Sequence, residues 1–206
     1  DIMFGGPGTY PELVNAGYIM DLSDKDYISR VSEGSLSLQK MDDKVYAVPL
    51  DQMANVVFYN KDIFNDLGLT VPTTYTEFID TCKALKDAGY AACAAGYQDA
   101  ISIGANFYTM FYGTPYLSCE NYVDETQNQG KSWGEYPTFA QALTQFREII
   151  GYQNEDCRTI TTDRAEQLFA NGESGMIIIG TWGLGAIMNY NPDLNCGGFM
   201  YPSEEK

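Results

Sequence analysis

The sequence has 206 residues, of which 45% are apolar and 14% aromatic, and it carries a formal net charge of −16 at pH 7. This length suits one or two domains, and this much apolar and aromatic surface excludes a disordered chain. The acidic surplus makes nucleic acids and anionic membranes poor partners. The absence of histidine excludes Ser-His-Asp and Cys-His catalysis and zinc sites of the HExxH type.

The five cysteines are widely spaced and form no CxxC pair, so a zinc ribbon or a thioredoxin-type site is unsupported. Cys82 and Cys93 fall at apolar positions and are predicted to be buried thiols. The sequence leaves open whether two of Cys119, Cys157 and Cys196 form a disulfide. No apolar run approaches the length of a membrane span, so we predict no direct membrane insertion of this segment.

The first predicted element is a short buried strand at residues 1–4, followed by a glycine-rich turn that includes Gly6 and ends at Thr9. The turn matches neither GxxxxGK[ST] nor GxGxxG. Three interpretations stay open for it: a phosphate cradle, a tight structural turn, and close approach of the backbone to a neutral ligand. Because Asp1 stands where an initiating Met would, we expect the sequence to be part of a longer protein.

Two strand-like arms, 38–41 and 44–48, flank the turn pair Asp42-Asp43. A continuous apolar run at 56–59 is typical of a strand covered on both faces. Other predicted elements are helices at 10–16, 61–67 (capped by Asn60), 74–88 (with a Thr74/Glu77 capping box), 103–112, 137–150 and 161–171, strands at 91–95, 176–179 and 198–201, a short helix after residue 182, and an irregular polar segment at 116–136. This alternation of strands and helices predicts an α/β fold.

Several predicted strands end in turns that carry polar or aromatic groups, and in open α/β sheets ligands bind beyond the carboxyl ends of strands. The groups in these turns are Gly6 and Thr9, Asp51 and Gln52, Tyr97, Gln98 and Asp99, and Trp182. Flat rings stack on the apolar faces of sugars, and carboxylates and amides bind hydroxyl groups. The set therefore indicates a neutral polyol as ligand, with no metal and no cofactor.

The sequence resembles a known family through five segments in a fixed order. They are 1–4 (DIMF) with Glu12-Leu13 and Gly17, 45–49 (VYAVP), 59–62 (YNKD), 72–78 (PTTYTEF), and 169–176 (FANGESGM) continuing to Gly180-Thr181-Trp182. In this order they resemble the family 1 extracellular solute-binding proteins of ABC sugar importers, the family that includes the maltose-binding protein. No single segment is diagnostic, but the collinear set is fairly specific and spans nearly the whole chain.

The resemblance implies a type II periplasmic-binding-protein-like fold, in which two lobes joined by a hinge close on the ligand. Family members are roughly twice as long, so the first lobe is expected to be incomplete. Residues 1–50 are then a partial first lobe, 51–54 the first hinge crossing, 55–198 the second lobe, and 199–206 the start of the second crossing.

The resemblance also assigns candidate site residues. Trp182 matches the aromatic residue that stacks on the sugar, and Asp99 falls where the family has an acidic contact. Asp51 and Gln52 lie at the crossing, where many sugar binders place hydroxyl-binding groups. Small residues at the glycine-rich turn replace the aromatic and charged contacts of relatives, so the first-lobe contacts are expected to differ.

Structural interpretations of the same residues stay open. Trp182 could fill the core between a strand and a helix, Asp51 could cap a turn, and Asp99 could cap the helix that follows it. Tyr97 is as suited to packing as to ligand contact. Trp133 lies in the irregular segment and is expected to be a surface or rim aromatic.

The resulting hypothesis is an extracytoplasmic solute-binding protein, periplasmic or anchored to the cell surface as a lipoprotein. It captures a sugar or oligosaccharide and hands it to the membrane subunits of an ABC permease. One alternative is a binder of a non-sugar solute such as a peptide, a polyamine or an anion. The other is a glycoside hydrolase that uses Asp51 and Asp99, which would need one carboxyl group with a raised pKa.

Overall fold

The computed structural model describes residues 2–5, 10–37, 39–51, 53–113 and 122–202. The chain divides into two compact units, Asp1–Gln52 and Met53–Lys206. Within the described ranges, no helix has both the length and the apolar character needed to cross a membrane.

The first unit is small and is built from short elements. They are α1 (Tyr10–Asn15), a 3₁₀ helix (Asp26–Arg30), α2 (Glu33–Ser37), β1 (Lys40–Met41) and β2 (Lys44–Val45). Ile28, Leu36 and Val45 form its buried core. Three side chains are a modest core, and the two-stranded hairpin is at the lower limit of what forms a sheet.

The hairpin of the first unit confirms the predicted turn. β1 and β2 pair antiparallel, with Met41 opposite Lys44. Asp42 and Asp43 between them both have positive φ, 50° and 62°. Positive φ at both central residues defines the type I′ turn that suits the twist of a two-residue hairpin, and Asp tolerates this conformation better than most residues.

The predicted buried strand at residues 1–4 is wrong for residues 2–4. These residues have no strand structure, and the side chains of Ile2 and Phe4 are exposed. A strand needs a neighbour for its backbone groups, and no described strand pairs with this segment.

The second unit carries a four-stranded sheet. Its elements are β3 (Asn55–Asn60), α3 (Lys61–Asp66), α4 (Tyr75–Asp87), β4 (Ala91–Ala94), α5 (Ala100–Gly113), α6 (Tyr122–Gln127), a 3₁₀ helix (Trp133–Glu135), α7 (Pro137–Ile150), α8 (Thr162–Ala170), β5 (Ser174–Gly180), a 3₁₀ turn (Thr181–Gly183), α9 (Leu184–Tyr190) and β6 (Cys196–Phe199). The strand order is β4-β5-β3-β6, with β4 and β5 parallel and the other pairs antiparallel.

Both faces of this sheet are covered, as the continuous apolar runs predict. Successive side chains of a strand point to opposite faces. On β5, Met176 and Ile178 pack in a cluster with Phe78 of α4, whereas Ile177 and Ile179 pack in a second cluster with Phe169 of α8. Every residue of β5 is buried. The sheet is therefore the middle layer of a three-layer α/β unit, which confirms the predicted fold class.

The predicted helix caps are also confirmed. The Asn60 side chain accepts hydrogen bonds from the backbone nitrogens of Asp62 and Ile63, at 3.0 and 3.1 Å. Thr74 and Glu77 form the reciprocal capping box at the start of α4. Each bond satisfies a backbone N–H that a helix leaves without an internal partner, which is why these local patterns locate helix starts reliably.

The polar segment at 116–136 is less irregular than predicted, because α6 and a 3₁₀ helix lie within it. Glu125 of α6 accepts hydrogen bonds from Lys131 Nζ at 2.7 Å and from the Tyr136 hydroxyl at 2.5 Å. These contacts join residues that are distant in helical spacing, so hydrophobic periodicity does not reveal them.

The predicted burial of two cysteines is confirmed, since Cys82 and Cys93 are fully buried thiols. Cys157 and Cys196 are free thiols as well, so no disulfide joins this pair. Cys119, the third residue of the possible disulfide, lies outside the described residues.

Candidate functional site

The candidate site lies at one edge of the second unit, where two strands end side by side. β4 and β5 run parallel, with Ala94 opposite Ile177, so their carboxyl ends share this edge. β3 runs antiparallel to β5 and begins there, with Asn55 opposite Gly180. The backbone nitrogen of Thr181 donates to the carbonyl of Ala54 at 2.8 Å. In open α/β sheets this is the edge at which ligands bind.

Trp182 lies in the 3₁₀ turn directly after β5, and its side chain is 43% exposed. That exposure excludes the core-filling role left open by the sequence. Among the described residues, its indole contacts no other aromatic ring. Trp133, by contrast, packs against Phe111 and Phe139, with ring centroids at 5.9 and 5.3 Å. Trp182 is thus an exposed flat apolar surface at this edge of the sheet.

Asp99 lies in the loop after β4 and links two helices. Its carboxylate accepts hydrogen bonds from the backbone nitrogen of Thr162, at 2.8 Å, and from the hydroxyl of Thr162, at the start of α8. It also accepts from the backbone nitrogens of Ile101 and Ser102, in the first turn of α5. Asp99 is therefore a helix cap, the structural role that the sequence had left open.

Burial raises the pKa of Asp99, but the bonds from Thr162, Ser102 and Ile101 outweigh it and hold that pKa below its ordinary value. A general acid in glycoside hydrolysis needs the opposite shift. The protonation behaviour of Asp99 thus gives no support to the hydrolase alternative.

Glu166 of α8 is a second carboxyl group at this edge, and sequence reasoning missed it. The residue is only 5% exposed, and a β-carbon placed on Gly183 would lie 3.3 Å from Glu166 Oε1. No hydrogen bond or ion pair to this carboxyl group is found within the described part of the chain. Burial and the negative charges of Asp163 and Asp99 raise the pKa of Glu166 to about 7.

The signal for Glu166 was present in the sequence as a charged residue within an apolar stripe. Its helical neighbours at three and four positions further on are Phe169 and Ala170, both buried. This spacing places the three side chains on one helix face. Spacing alone, however, does not tell whether such a carboxyl group is paired.

Tyr97 and Gln98 follow β4 but differ in exposure. The Tyr97 ring packs on Phe146, with centroids 5.8 Å apart, and its hydroxyl accepts a hydrogen bond from Gln153 Nε2 at 2.7 Å. Burial raises the pKa of Tyr97 above its ordinary value. Gln98 is exposed, and its backbone nitrogen donates to the carbonyl of Ile160 at 3.0 Å. The structure thus shows a packing role for Tyr97 and leaves the Gln98 side chain at the surface.

The remaining predicted site residues belong to the first unit. Asp51 is exposed. Gly6, Thr9 and Gln52 lie outside the described residues, so their predicted ligand contacts stay predictions. Within the described ranges, no group of three Cys, Asp or Glu side chains is arranged to hold a metal ion.

Residues 1–195 match the family model described as bacterial extracellular solute-binding protein. The chain belongs to this family. The resemblance drawn from the five sequence segments is therefore confirmed. The family is one of solute-binding proteins, not of enzymes, and its members lie outside the cytoplasm.

Relatives within the family include named sugar binders. The multiple sugar-binding protein of Streptococcus mutans is 27% identical over 201 residues, which cover 95% of this chain and 47% of that protein. The galactooligosaccharide-binding protein of Bacillus subtilis is 27% identical over 213 residues, covering 92% of this chain and 47% of that protein.

Solved structures show the same fold. Apo RafE from Streptococcus pneumoniae superposes with a TM-score of 0.81 at 27% identity, covering 98% of this chain and 53% of RafE. RafE in complex with raffinose superposes with a TM-score of 0.81 at 28% identity, covering 98% of this chain and 54% of RafE. The chain spans about half the length of these solute-binding relatives.

Proposed function

We propose that the protein containing this chain binds a sugar or oligosaccharide outside the cytoplasm and delivers it to an ABC import permease. The observation that carries this proposal is Trp182, an exposed indole at the carboxyl end of β5 with no aromatic partner among the described residues. A flat apolar ring in this position suits the apolar face of a pyranose.

Two kinds of observation favour a sugar over an anionic solute. First, Asp99 and Glu166 lie at the same edge of the sheet as Trp182, and the ion pairs found in the described part of the chain involve neither carboxyl group. Second, relatives that align with 92–95% of this chain bear names of sugar-binding proteins. A site of aromatic and hydroxyl-binding groups, without a paired cation, favours a polyol over an anion.

The mechanism we propose is the hinge closure expected from the family, with residues 51–54 as one crossing between the lobes. A ligand favours closure because it contacts both sides only in the closed state. Small-angle scattering of the intact protein tests this, with a smaller radius of gyration expected when sugar is added. Anchoring as a lipoprotein or residence in a periplasm, and docking on permease subunits, belong to the same proposal.

Titration calorimetry of the intact protein with raffinose and a panel of mono- and oligosaccharides tests the proposed ligand class. We expect one class to bind, and Trp182→Ala to weaken that binding at least tenfold, equivalent to about 1.4 kcal/mol. Trp133→Phe is the matched control, since Trp133 packs in an aromatic cluster of the second unit. No binding by any sugar, or full affinity in Trp182→Ala, would contradict the proposal.

A further inference from the structure

Gly180, the last residue of β5, lies in close contact with the indole of Trp182. A β-carbon placed on Gly180 would lie 2.0 Å from Trp182 Nε1, 2.5 Å from Cδ1 and 2.9 Å from Cε2. Real β-carbons do not approach other heavy atoms this closely. The pyrrole part of the indole therefore occupies the space that any side chain at position 180 would need.

The backbone conformation of Gly180 does not explain why this residue is glycine. Its φ of −67° and ψ of 153° lie in the extended region that every residue type adopts. Its place in the sheet, opposite Asn55, is likewise open to other residues. The remaining feature that demands glycine is the space that the Trp182 side chain takes up.

A second glycine nearby, Gly185, lies in an open space. Gly185, in the first turn of α9, has no described atom within 4 Å of the position of a β-carbon apart from its chain neighbours and the backbone of its own helix. Gly180→Ala and Gly185→Ala are thus the same chemical change five positions apart, one into an occupied space and one into an open space.

We propose that Gly180 is a positioning residue for the ligand-binding aromatic: its lack of a side chain lets the Trp182 indole lie against the end of β5 and fixes where the exposed part of the ring is presented. This inference rests on the proposed sugar-binding role of Trp182 and adds to it. A methyl group at position 180 moves the ring. β5 is buried along its whole length and cannot shift easily, and only one residue separates Gly180 from Trp182, so the indole is the group that moves.

The first test needs no ligand and uses thermal unfolding of the intact protein. Gly180→Ala is expected to lower the Tm by about 5 °C, and most of that loss is recovered when Trp182→Ala is combined with it. Gly185→Ala serves as the control and shows no such coupling to Trp182→Ala. An equal loss of Tm from Gly180→Ala with and without the indole overturns the proposal. A poorly stable Gly180→Ala variant still gives a result, since recovery is read from the double variant.

The second test measures affinity for raffinose, or for whichever sugar of the panel binds, by calorimetry. Gly180→Ala is expected to weaken binding at least tenfold, and the double variant binds no more weakly than Trp182→Ala alone. Wild-type affinity in Gly180→Ala overturns the positioning role. If the Tm coupling is present but no sugar binds the unmodified protein, the proposed function fails while the contact between residues 180 and 182 stands.

Discussion

Asp99 and Thr162 are joined by two hydrogen bonds, one from the Thr162 backbone nitrogen and one from its hydroxyl. The carboxylate that receives them also caps α5 through the backbone nitrogens of Ile101 and Ser102. One acidic side chain thus accepts hydrogen bonds at the amino ends of two helices, α5 and α8, and Thr162 lies 63 residues beyond Asp99 in the sequence. Because helix amino ends carry partial positive charge, the ionised carboxylate is favoured there.

Replacing Asp99 with alanine is expected to destabilise the second unit by about 2 kcal/mol, roughly 1 kcal/mol for each helix cap lost. Thr162→Val, which removes one bond but keeps the shape, is expected to cost about 1 kcal/mol. The double variant should cost less than the sum, since both changes remove the same bond. Chemical denaturation of the intact protein measures all three, and strict additivity would contradict the interaction.

The same bonds predict an acid-sensitive contribution to stability. The folded-state pKa of Asp99 lies below its ordinary value of 3.8, so its stabilising contribution is present above that pH and is lost as the pH falls below it. The difference in unfolding free energy between the unmodified protein and Asp99→Asn should therefore shrink on acidification below pH 4. A difference that does not change with pH would show that charge plays no part.

Glu166→Gln is expected to stabilise the protein at alkaline pH. The pKa of Glu166 is raised from 4.5 to about 7 by burial and by the charges of Asp163 and Asp99, so folding costs free energy once the pH exceeds the unfolded-state pKa. The cost grows between about pH 4.5 and pH 7 and is complete above that range. Allowing for solvent screening, it is on the order of 1–3 kcal/mol at pH 8.

Unfolding curves at pH 4.5 and pH 8 test the role of Glu166. Glu166→Gln and the unmodified protein should differ little at pH 4.5, and the variant should be more stable at pH 8. Glu155→Gln is the matched control, because Glu155 is exposed and the chemical change is the same. A Glu166→Gln variant that is less stable at pH 8 would indicate an interaction of the ionised carboxylate instead of an unpaired charge.

Gly96→Ala is expected to be strongly destabilising. A β-carbon at Gly96 would lie 2.0 Å from the carbonyl oxygen of Thr161 and 2.8 Å from the backbone nitrogen of Thr162. Backbone atoms at the start of α8 cannot rotate away as a side chain can, so we expect a loss of about 2–4 kcal/mol. Gly185→Ala, placed in open space within a helix, should be neutral or stabilising by up to about 1 kcal/mol. Similar stabilities for the two variants would contradict the close approach.

Local sequence patterns predicted the second unit well, because its elements are delimited by short-range chemistry. Asn60 and the Thr74/Glu77 pair act on backbone groups two or three residues away. The buried strands β3 and β5 are visible as continuous apolar runs. The predicted strand was wrong at residues 2–4 because a strand depends on a neighbour, and a short apolar segment does not specify one.

The candidate site was predictable only in part, because its decisive contacts are long-range. Trp182 could be identified from its place after an apolar strand. The close contact between Gly180 and the Trp182 ring could not be identified in this way. Asp99 could be found as a polar residue after β4, yet its four hydrogen bonds come from two helices, one of them far along the chain. Glu166 is buried next to the turn that contains Gly183, and no local pattern encodes that packing.

Tyr97→Phe separates packing from ligand contact at a residue for which the sequence allowed both. Its hydroxyl accepts a hydrogen bond from Gln153 Nε2, which also donates to Asn106 Oδ1 at 3.2 Å. Gln153 Oε1 is buried without a partner in the described chain. Tyr97→Phe therefore removes a hydrogen bond from a side-chain amide that already lacks one. We expect a loss of about 1 kcal/mol in stability, because the ring contact with Phe146 is kept.

Affinity for sugar should change less than about twofold in Tyr97→Phe, since tenfold would require about 1.4 kcal/mol of direct interaction. Tyr18→Phe is a suitable control, because Tyr18 is exposed in the first unit and the change should leave the Tm as it was. A tenfold loss of affinity with an unchanged Tm would place the Tyr97 hydroxyl on the ligand. In that case Gln153 would be the group that orients the hydroxyl, and Gln153→Ala should weaken binding as well.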